Sequence, residues 1–90
     1  MRDRILTKRF VRSVKRMNKR GKDVKKLAAV IELLANDKPL PARCRVHLLT
    51  GNRVGQRECH IENDWLLIYN IQEDGSLCLI DTGTHADLFR

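Results

Sequence analysis

The segment that most constrains the fold is the run from Trp65 to Ile71, in which six of seven residues are apolar or aromatic. A strand without polar alternation is typical of a central strand that is buried on both faces. Residues 73–76 follow with the sequence Glu-Asp-Gly-Ser, and an Asp-Gly pair suits a tight hairpin turn. Residues 77–82 are therefore predicted to return as an antiparallel neighbour, and Gly83 is predicted to break that strand.

Two amphipathic helices are predicted ahead of this hairpin. Apolar residues recur at helical spacing from Phe10 onward, after Thr7, whose hydroxyl can accept an orphan backbone N–H. Gly21 stands where a left-handed residue is wanted to end the first helix. Apolar residues recur at helical spacing again over residues 24–35, which predicts a second helix that Asp23 caps and the following prolines end. The two segments make a helical hairpin.

Three shorter segments complete the chain. Residues 2–6 are predicted to form a short edge strand. Residues 42–55 show no sustained period and are predicted to be mostly loop. Residues 84–89 close the chain after the last strand.

A further strand is predicted over residues 56–62, which alternate so that Glu58 and His60 share one face and Arg57 and Cys59 the other. We therefore predict an α+β fold in a single domain that spans the whole chain. The helical hairpin packs on one face of a small, mostly antiparallel sheet. The other face is left for solvent or a ligand.

Positive charge is concentrated at the N-terminus. Residues 1–26 carry twelve lysines and arginines against two aspartates, a net charge of +10, whereas residues 27–90 carry −3. Such a block attracts phosphate chains, anionic lipid or an acidic protein, and its affinity for nucleic acid falls steeply with salt. A solvated helical face that keeps a small protein soluble is the alternative interpretation. With no apolar run near the ~20 residues of a membrane span and no secretory signal, we expect a cytoplasmic protein without a membrane partner.

Three histidines are the candidates for acid–base chemistry near neutral pH, since imidazole has an ordinary pKa of about 6.5. They are His47, His60 and His85. Glu58 stands two residues before His60 on the same strand face, and Asp64 follows at the next turn. A single histidine is more often a surface or core residue than a catalyst. Collected on the open sheet face beside a basic helix, these three suit chemistry on phosphate.

A metal site is the competing use of the same region. Cys44 with His47, and Cys59 with His60, look like metal ligands, but adjacent strand residues point to opposite faces. An odd number of cysteines without C-x-x-C spacing indicates reduced thiols. We therefore expect no metal and no other cofactor.

The aromatic residues divide into two groups. Trp65 and Tyr69 are spaced like core residues. Phe89 lies near the end of the chain, where burial is hardest, and is predicted either to stack on a nucleobase or to pack the last turn onto the sheet.

Four segments form a recognisable signature: residues 47–51 (HLLTG), 57–61 (RECHI), 64–69 (DWLLIY) and 82–89 (TGTHADLF). They contain the patterns H-x-L-x-G, R-[DE]-x-H-[IV]-x-x-D and G-[ST]-H-x-x-L-F in this order. With the basic helical hairpin included, the chain resembles YafQ-type toxins of the RelE superfamily over essentially its whole length.

The resemblance implies the toxin of a bacterial type II toxin–antitoxin pair, a metal-independent, ribosome-dependent mRNA endoribonuclease on a small α/β sandwich. Such a toxin enters the A site of the 70S ribosome and cuts the messenger there, which inhibits translation. The implied partner is a cognate antitoxin with a ribbon-helix-helix half, and operator DNA is bound only through the complex.

The resemblance also implies site residues by position. The family's active-site set is matched by His47, His60, Asp64, His85 and Phe89. Glu58 stands where the best-known member has Asp. A 2′-hydroxyl would attack the adjacent phosphate, with His85 as general acid and either His60 or His47, aided by Asp64 or Glu58, as base.

Two further groups are expected to bind the RNA. Arg57 is a weak candidate for phosphate stabilisation, because it lies on the strand face opposite His60. Cations of the first helix are expected to contact ribosomal RNA: Lys8, Arg12, Lys15, Arg16 and Lys19.

Three alternatives stay open at this point. A non-catalytic RNA- or DNA-binding module needs the charge block but not the histidines. A zinc-stabilised domain predicts stoichiometric metal and loss of the fold with chelator. A degenerate toxin that only binds its antitoxin is suggested by Glu58 alone.

Overall fold

A five-stranded sheet forms the centre of the structure, a computed structural model that describes residues 1–89. In chain order its strands are β1 Arg4–Leu6, β2 His47–Leu48, β3 Arg57–Glu62, β4 Trp65–Ile71 and β5 Leu77–Gly83. Their spatial order is β1-β5-β4-β3-β2, and only β1 and β5 pair in parallel. The apolar run is therefore the central strand, and the predicted α+β fold with a mostly antiparallel sheet is confirmed.

The predicted helical hairpin consists of α1, Lys8–Lys19, and α2, Val24–Ala35. Thr7 caps α1, because its hydroxyl accepts a hydrogen bond from the backbone N–H of Phe10 at 3.0 Å. Asp23 caps α2 in the same way, accepting from the backbone N–H of Lys25 at 3.0 Å. Gly21 has a φ of +87°, the left-handed conformation that closes α1 at no steric cost. No helix within residues 1–89 has the length and apolar character needed to cross a membrane.

The two faces of β4 are both buried, but by different partners. On one face Trp65, Leu67 and Tyr69 pack against the two helices, and the buried helical residues there are Phe10, Met17, Leu27, Val30, Ile31 and Ala35. On the other face a smaller cluster joins Leu66 and Ile68 to Leu88, with the half-buried Leu49 and Ile80 packed against it. The second face, called the open face below, carries no helical layer.

One local prediction needs correction, and two segments gain detail that the sequence did not show. Residues 42–55 are not only loop, because His47–Leu48 pairs with β3 as an edge strand too short to show a period. Gly83 does not break β5 but is its last residue. A Cβ at this position would lie 2.9 Å from Cβ of Asp87, so glycine is required by a close approach. The closing segment forms one helical turn, α3, His85–Leu88.

Candidate active site

The register of the sheet brings two of the histidines to the open face. His60 pairs with Leu66 of β4, and Leu66 belongs to the open-face cluster. Glu58 pairs with Ile68, the other open-face residue of that strand, and His47 pairs with Glu58. Because paired residues of antiparallel strands share a face, His47, Glu58 and His60 lie on the same side of the sheet. The predicted alternation of β3 is confirmed.

His85 joins this group from the end of β5, on the other side of β4 from β3. Leu66 pairs with Gly83, the last residue of β5, and α3 begins two residues later. The rings of His60 and His85 have their centroids 5.9 Å apart. The two histidines therefore meet although 25 positions separate them in the sequence.

Asp64, in the turn between β3 and β4, fixes His85 in two ways. Its Oδ1 accepts the backbone N–H of His85 at 2.9 Å and lies 2.6 Å from Nδ1 of the imidazole ring. Both hydrogen bonds lower the pKa of the Asp64 carboxyl, and the bond from the backbone N–H of His85 has the larger effect. An ionised carboxylate against Nδ1 keeps a proton on that nitrogen and leaves Nε2 directed away from Asp64. Both side chains are exposed, so Nε2 is open to a ligand.

A capping box and an ion pair hold α3 in place. Thr84 accepts the backbone N–H of Asp87 at 3.1 Å, and Asp87 accepts the backbone N–H of Thr84 at 2.9 Å. Arg20, just after α1, donates to both oxygens of Asp87 at 2.7 and 3.1 Å. The guanidinium of Arg20 is the main reason that the pKa of Asp87 lies well below its usual range. The turn that carries His85 is therefore tied to the helical layer.

His60 differs from His85 in its hydrogen bonding. Its Nδ1 is buried and has no hydrogen-bond partner among residues 1–89. A buried N–H without an acceptor costs more than a buried lone pair, so the proton of the neutral ring belongs on Nε2. His60 thus presents a donor to the open face.

Phe89 is 44% exposed and lies next to the histidines, with its ring centroid 6.3 Å from that of His85. The ring has a second neighbour, Arg53, whose guanidinium carbon lies 5.4 Å from the Phe89 centroid, within cation–π range. A cleft of about 660 Å³ opens here on the open face. It is lined mainly by polar and aromatic side chains: Arg9, Thr50, Asn52, Arg53, Gln56 and Phe89.

The cations predicted on α1 are exposed. None of them has a carboxylate within 4 Å in the part of the chain that the structure describes. They are Lys8, Arg12, Lys15, Arg16 and Lys19. By contrast, Lys22 and Lys26 both bind Glu62, at 2.8 and 2.9 Å. The first helix therefore keeps its charge available for an anionic partner.

Arg57 is not brought to the histidines. It pairs with Tyr69 and lines a cavity with Leu34 and Lys38 on the helical side of the sheet. Cys59 and His60, the adjacent pair that looks like two metal ligands in the sequence, lie on opposite faces of the sheet. Cys59 is fully buried in the core on the helical side, and His60 lies on the open face. Burial raises the pKa of Cys59 to about 12. Within residues 1–89, no three His, Cys, Asp or Glu side chains are grouped to hold a metal ion.

Two residues of this region were missed by sequence reasoning, Arg9 and Arg53. Arg9 lies at i−3 from Arg12 and i−7 from Arg16, so helical spacing alone would have grouped it with them. Arg53 lies in a single 3-10 turn, Gly51–Arg53, where no period exists to indicate its direction.

The comparisons with known proteins identify the family and agree with the fold. The family model that matches is YafQ, described as a bacterial toxin of a type II toxin–antitoxin system, and it matches residues 2–90. Over 81 residues the chain is 44% identical to the mRNA interferase toxin YafQ of Escherichia coli strain K12, covering 89% of this chain and 87% of that protein.

Two solved structures are similar over nearly the whole chain. The crystal structure of YafQ from E. coli strain BL21(DE3) has a TM-score of 0.93 at 40% identity, covering all of both chains. A chain in the crystal structure of the E. coli DinJ–YafQ toxin–antitoxin complex has a TM-score of 0.90 at 41% identity, covering 99% of this chain and 98% of that chain.

Proposed function

This chain belongs to the YafQ family of bacterial type II toxins, and from that premise we propose that it is an mRNA interferase that cuts translated messenger in the ribosomal A site. The observation that carries the proposal is the His85–Asp64 pair, 2.6 Å apart on the open face and beside the ring of His60. An oriented imidazole with a free Nε2 is what proton transfer to or from phosphate ester oxygens requires.

The reaction needs three functions. A base removes the proton of a 2′-hydroxyl, the 2′-oxygen bonds to the adjacent phosphorus, and the bond from phosphorus to the 5′-oxygen breaks. An acid protonates that leaving 5′-oxygen, and donors hold the charge on the other phosphate oxygens. The products are a 2′,3′-cyclic phosphate and a 5′-hydroxyl.

The site supports one assignment of these roles. His85 is the general acid through Nε2, because Asp64 fixes its Nδ1–H and stabilises the ring when it is protonated. His60 donates from Nε2 to a phosphate oxygen, because its Nδ1 is buried without a partner in residues 1–89. His47, in register with the carboxylate of Glu58, supplies the base.

The surroundings of the site suit a large RNA partner. The exposed, unpaired cations of α1 supply the phosphate contacts, and the ribosome supplies the substrate in a fixed position. Phe89 stacks against a nucleobase. A toxin that acts on ribosomes works in the cytoplasm, and we expect this protein there.

An antitoxin is the second proposed partner. A related toxin is seen in complex with DinJ, and the basic face of α1 suits an acidic segment of a cognate antitoxin. We expect that antitoxin to carry a ribbon-helix-helix half, so that operator DNA is bound only through the complex.

The proposal is tested by inducing the parent chain, His85→Ala and the exposed turn variant Glu73→Ala at matched levels in a bacterial host. Growth arrest and cleavage of translated messages are expected for the parent and Glu73→Ala, and neither for His85→Ala. Purified parent should cut mRNA bound to 70S ribosomes and leave the same mRNA intact when it is free. Toxicity that survives His85→Ala would refute catalysis by this residue.

A second experiment separates the roles of the histidines. Glutamine keeps an N–H donor at the end of its side chain but does not titrate, so His60→Gln should retain more activity than His60→Ala. His85→Gln should be as inactive as His85→Ala, because a general acid has to release its proton. Equal loss for both His60 variants would contradict the donor role.

A further inference from the structure

Arg53 is held in one position by groups on both sides. Its Nη2 donates to the backbone carbonyl of Leu88 at 3.1 Å, and its Nη1 donates to Oε1 of Gln56 at 3.3 Å. The guanidinium also lies over the ring of Phe89 at 5.4 Å. A guanidinium has five N–H donors, so these two bonds leave three free. The side chain is a pre-ordered cation beside Phe89, whose ring is the neighbour of His85.

Two clefts meet at this side chain. The cleft of about 660 Å³ beside Phe89 and a second cleft of about 440 Å³ both include Arg9, Arg53 and Leu88 in their walls. The second cleft continues along α1, where Arg12 and Arg16 line it. The clefts therefore form one groove that leads from Phe89, whose ring centroid lies 6.3 Å from that of His85, to the exposed cations of the first helix.

The two halves of the groove differ in chemistry. The half beside Phe89 offers an aromatic ring and side chains that bond to base edges, namely Thr50, Asn52 and Gln56. The half along α1 offers the guanidinium groups of Arg12 and Arg16, and guanidinium groups bind phosphate with paired hydrogen bonds. Its walls also contain two carboxylates that already have partners, since Asp81 accepts from Ser13 and Asp87 accepts from Arg20. A nucleotide has the same division, with a flat polar base at one end and a phosphate at the other.

We propose that this groove binds the nucleotide next to the cleaved linkage, with its base against Phe89 and its phosphate on Arg9 and Arg53. Arg53 is then a substrate-positioning residue, which aligns the strand at the histidines without taking part in proton transfer. The assignment rests on the proposed ribonuclease function and names a subsite of the same active site. An acidic antitoxin segment is the competing occupant, but it lacks the flat polar base that matches the ring and the base-edge groups at the Phe89 end.

The test uses 70S ribosomes that carry a short mRNA with a cleavable codon in the A site. Single-turnover cleavage is measured for the parent, for Arg53→Met, which keeps a long side chain without charge, and for Arg43→Met, a matched control in a different cavity. Each protein is given three substrates. One is unmodified, and the others carry a neutral methylphosphonate at the linkage on the 3′ or the 5′ side of the cut.

We expect Arg53→Met to lower kcat/KM about tenfold, as the loss of one charge-assisted phosphate contact does, and Arg43→Met to leave it unchanged. One of the two neutral linkages should slow cleavage by the parent by a similar factor. The same linkage should not slow cleavage by Arg53→Met any further, because that variant has already lost the contact. This loss of sensitivity to a single phosphate identifies a contact, because general damage to the fold would slow all three substrates alike.

Each other outcome overturns the inference. Equal cleavage by the parent and Arg53→Met rejects the subsite but leaves the ribonuclease function standing. If that variant cuts normally but loses affinity for the cognate antitoxin, the groove is an antitoxin site. If the neutral linkage slows cleavage by Arg53→Met as strongly as it slows cleavage by the parent, the phosphate binds elsewhere. A parent that cuts no ribosome-bound mRNA overturns the proposed function and this inference together.

Discussion

Gly83→Ala is expected to disturb the active site through the capping of α3. A Cβ at residue 83 would lie 2.9 Å from Cβ and 3.0 Å from Oδ2 of Asp87, closer than such atoms approach one another. Oδ2 is the atom that accepts the backbone N–H of Thr84 and Nη1 of Arg20. The helical turn must move to relieve the contact, and these bonds are lost or lengthened.

The magnitude follows from the capping contacts. Loss of a helix cap costs about 1 kcal/mol of unfolding free energy, and residual crowding adds to it, so we expect Gly83→Ala to cost about 1–2 kcal/mol. Asp87→Ala removes the bonds from the backbone N–H of Thr84 and from Arg20, leaves the Thr84 half of the capping box, and should cost about 1 kcal/mol. Because both changes act on one set of bonds, the double variant should be less destabilised than the sum of the two, by roughly the cap energy.

Urea unfolding followed by fluorescence measures these differences, because Trp65 is the only tryptophan and is fully buried. For a domain of this size m is about 1 kcal/mol/M, so each single change should lower the urea midpoint by roughly 1 M. Cleavage of ribosome-bound mRNA should fall in the same variants, since α3 carries His85. Strict additivity in the double variant, or full activity in Gly83→Ala, would refute the reasoning.

The remaining predictions concern pH, the core and the cysteines. The Arg20 guanidinium lowers the pKa of Asp87 when the protein folds. The Asp87 carboxylate therefore stabilises the fold fully above its unfolded pKa of about 3.9, and this contribution is lost as the pH falls from there toward the folded pKa. The difference in unfolding free energy between the parent and Asp87→Asn should shrink between pH 6 and pH 3. Thr82→Val should cost about 1–3 kcal/mol in thermal unfolding, because Thr82 accepts the indole N–H of Trp65 at 2.9 Å in the core. At pH 8 a thiol reagent should label the half-buried Cys78 in the folded protein and Cys59 only after denaturation, as the pKa of about 12 at Cys59 predicts; rapid native labelling of Cys59 would contradict its burial.

Much of the fold could be predicted because its signals are local. The capping residues Thr7 and Asp23 and the left-handed Gly21 stand at the positions that helix termini require. The central position of β4 follows from its unbroken apolar run, since only a strand covered on both faces tolerates such a sequence. The alternation of residues along β3 is sufficient by itself to predict that Glu58 and His60 share one face.

The parts that escaped prediction depend on contacts between distant residues. The two residues of β2 have no period of their own and are a strand only because Glu58 and Arg57 pair with them. The glycine at 83 suggests a break locally, but the reason for it is the side chain of Asp87, which the fold of α3 brings back against residue 83. Arg53 acquires its position from Leu88 and Phe89, 35 and 36 positions along the chain, and no local pattern indicates such a contact.

The dependence of the site on α3 follows from the same distinction. A helical turn of four residues is not stable by itself, since helix nucleation is unfavourable and only tertiary contacts offset it. Here those contacts come from three separate parts of the chain: Arg20 after α1 binds Asp87, Asp64 between β3 and β4 binds His85, and Arg53 binds the carbonyl of Leu88. The general acid therefore reaches its position only when the helical layer, the β3–β4 turn and the 3-10 turn are all in place. Loss of the Arg20 or the Asp64 contact should raise the activation free energy of cleavage by more than it lowers the free energy of unfolding, because it releases the turn that carries His85 while the core around β4 stays packed.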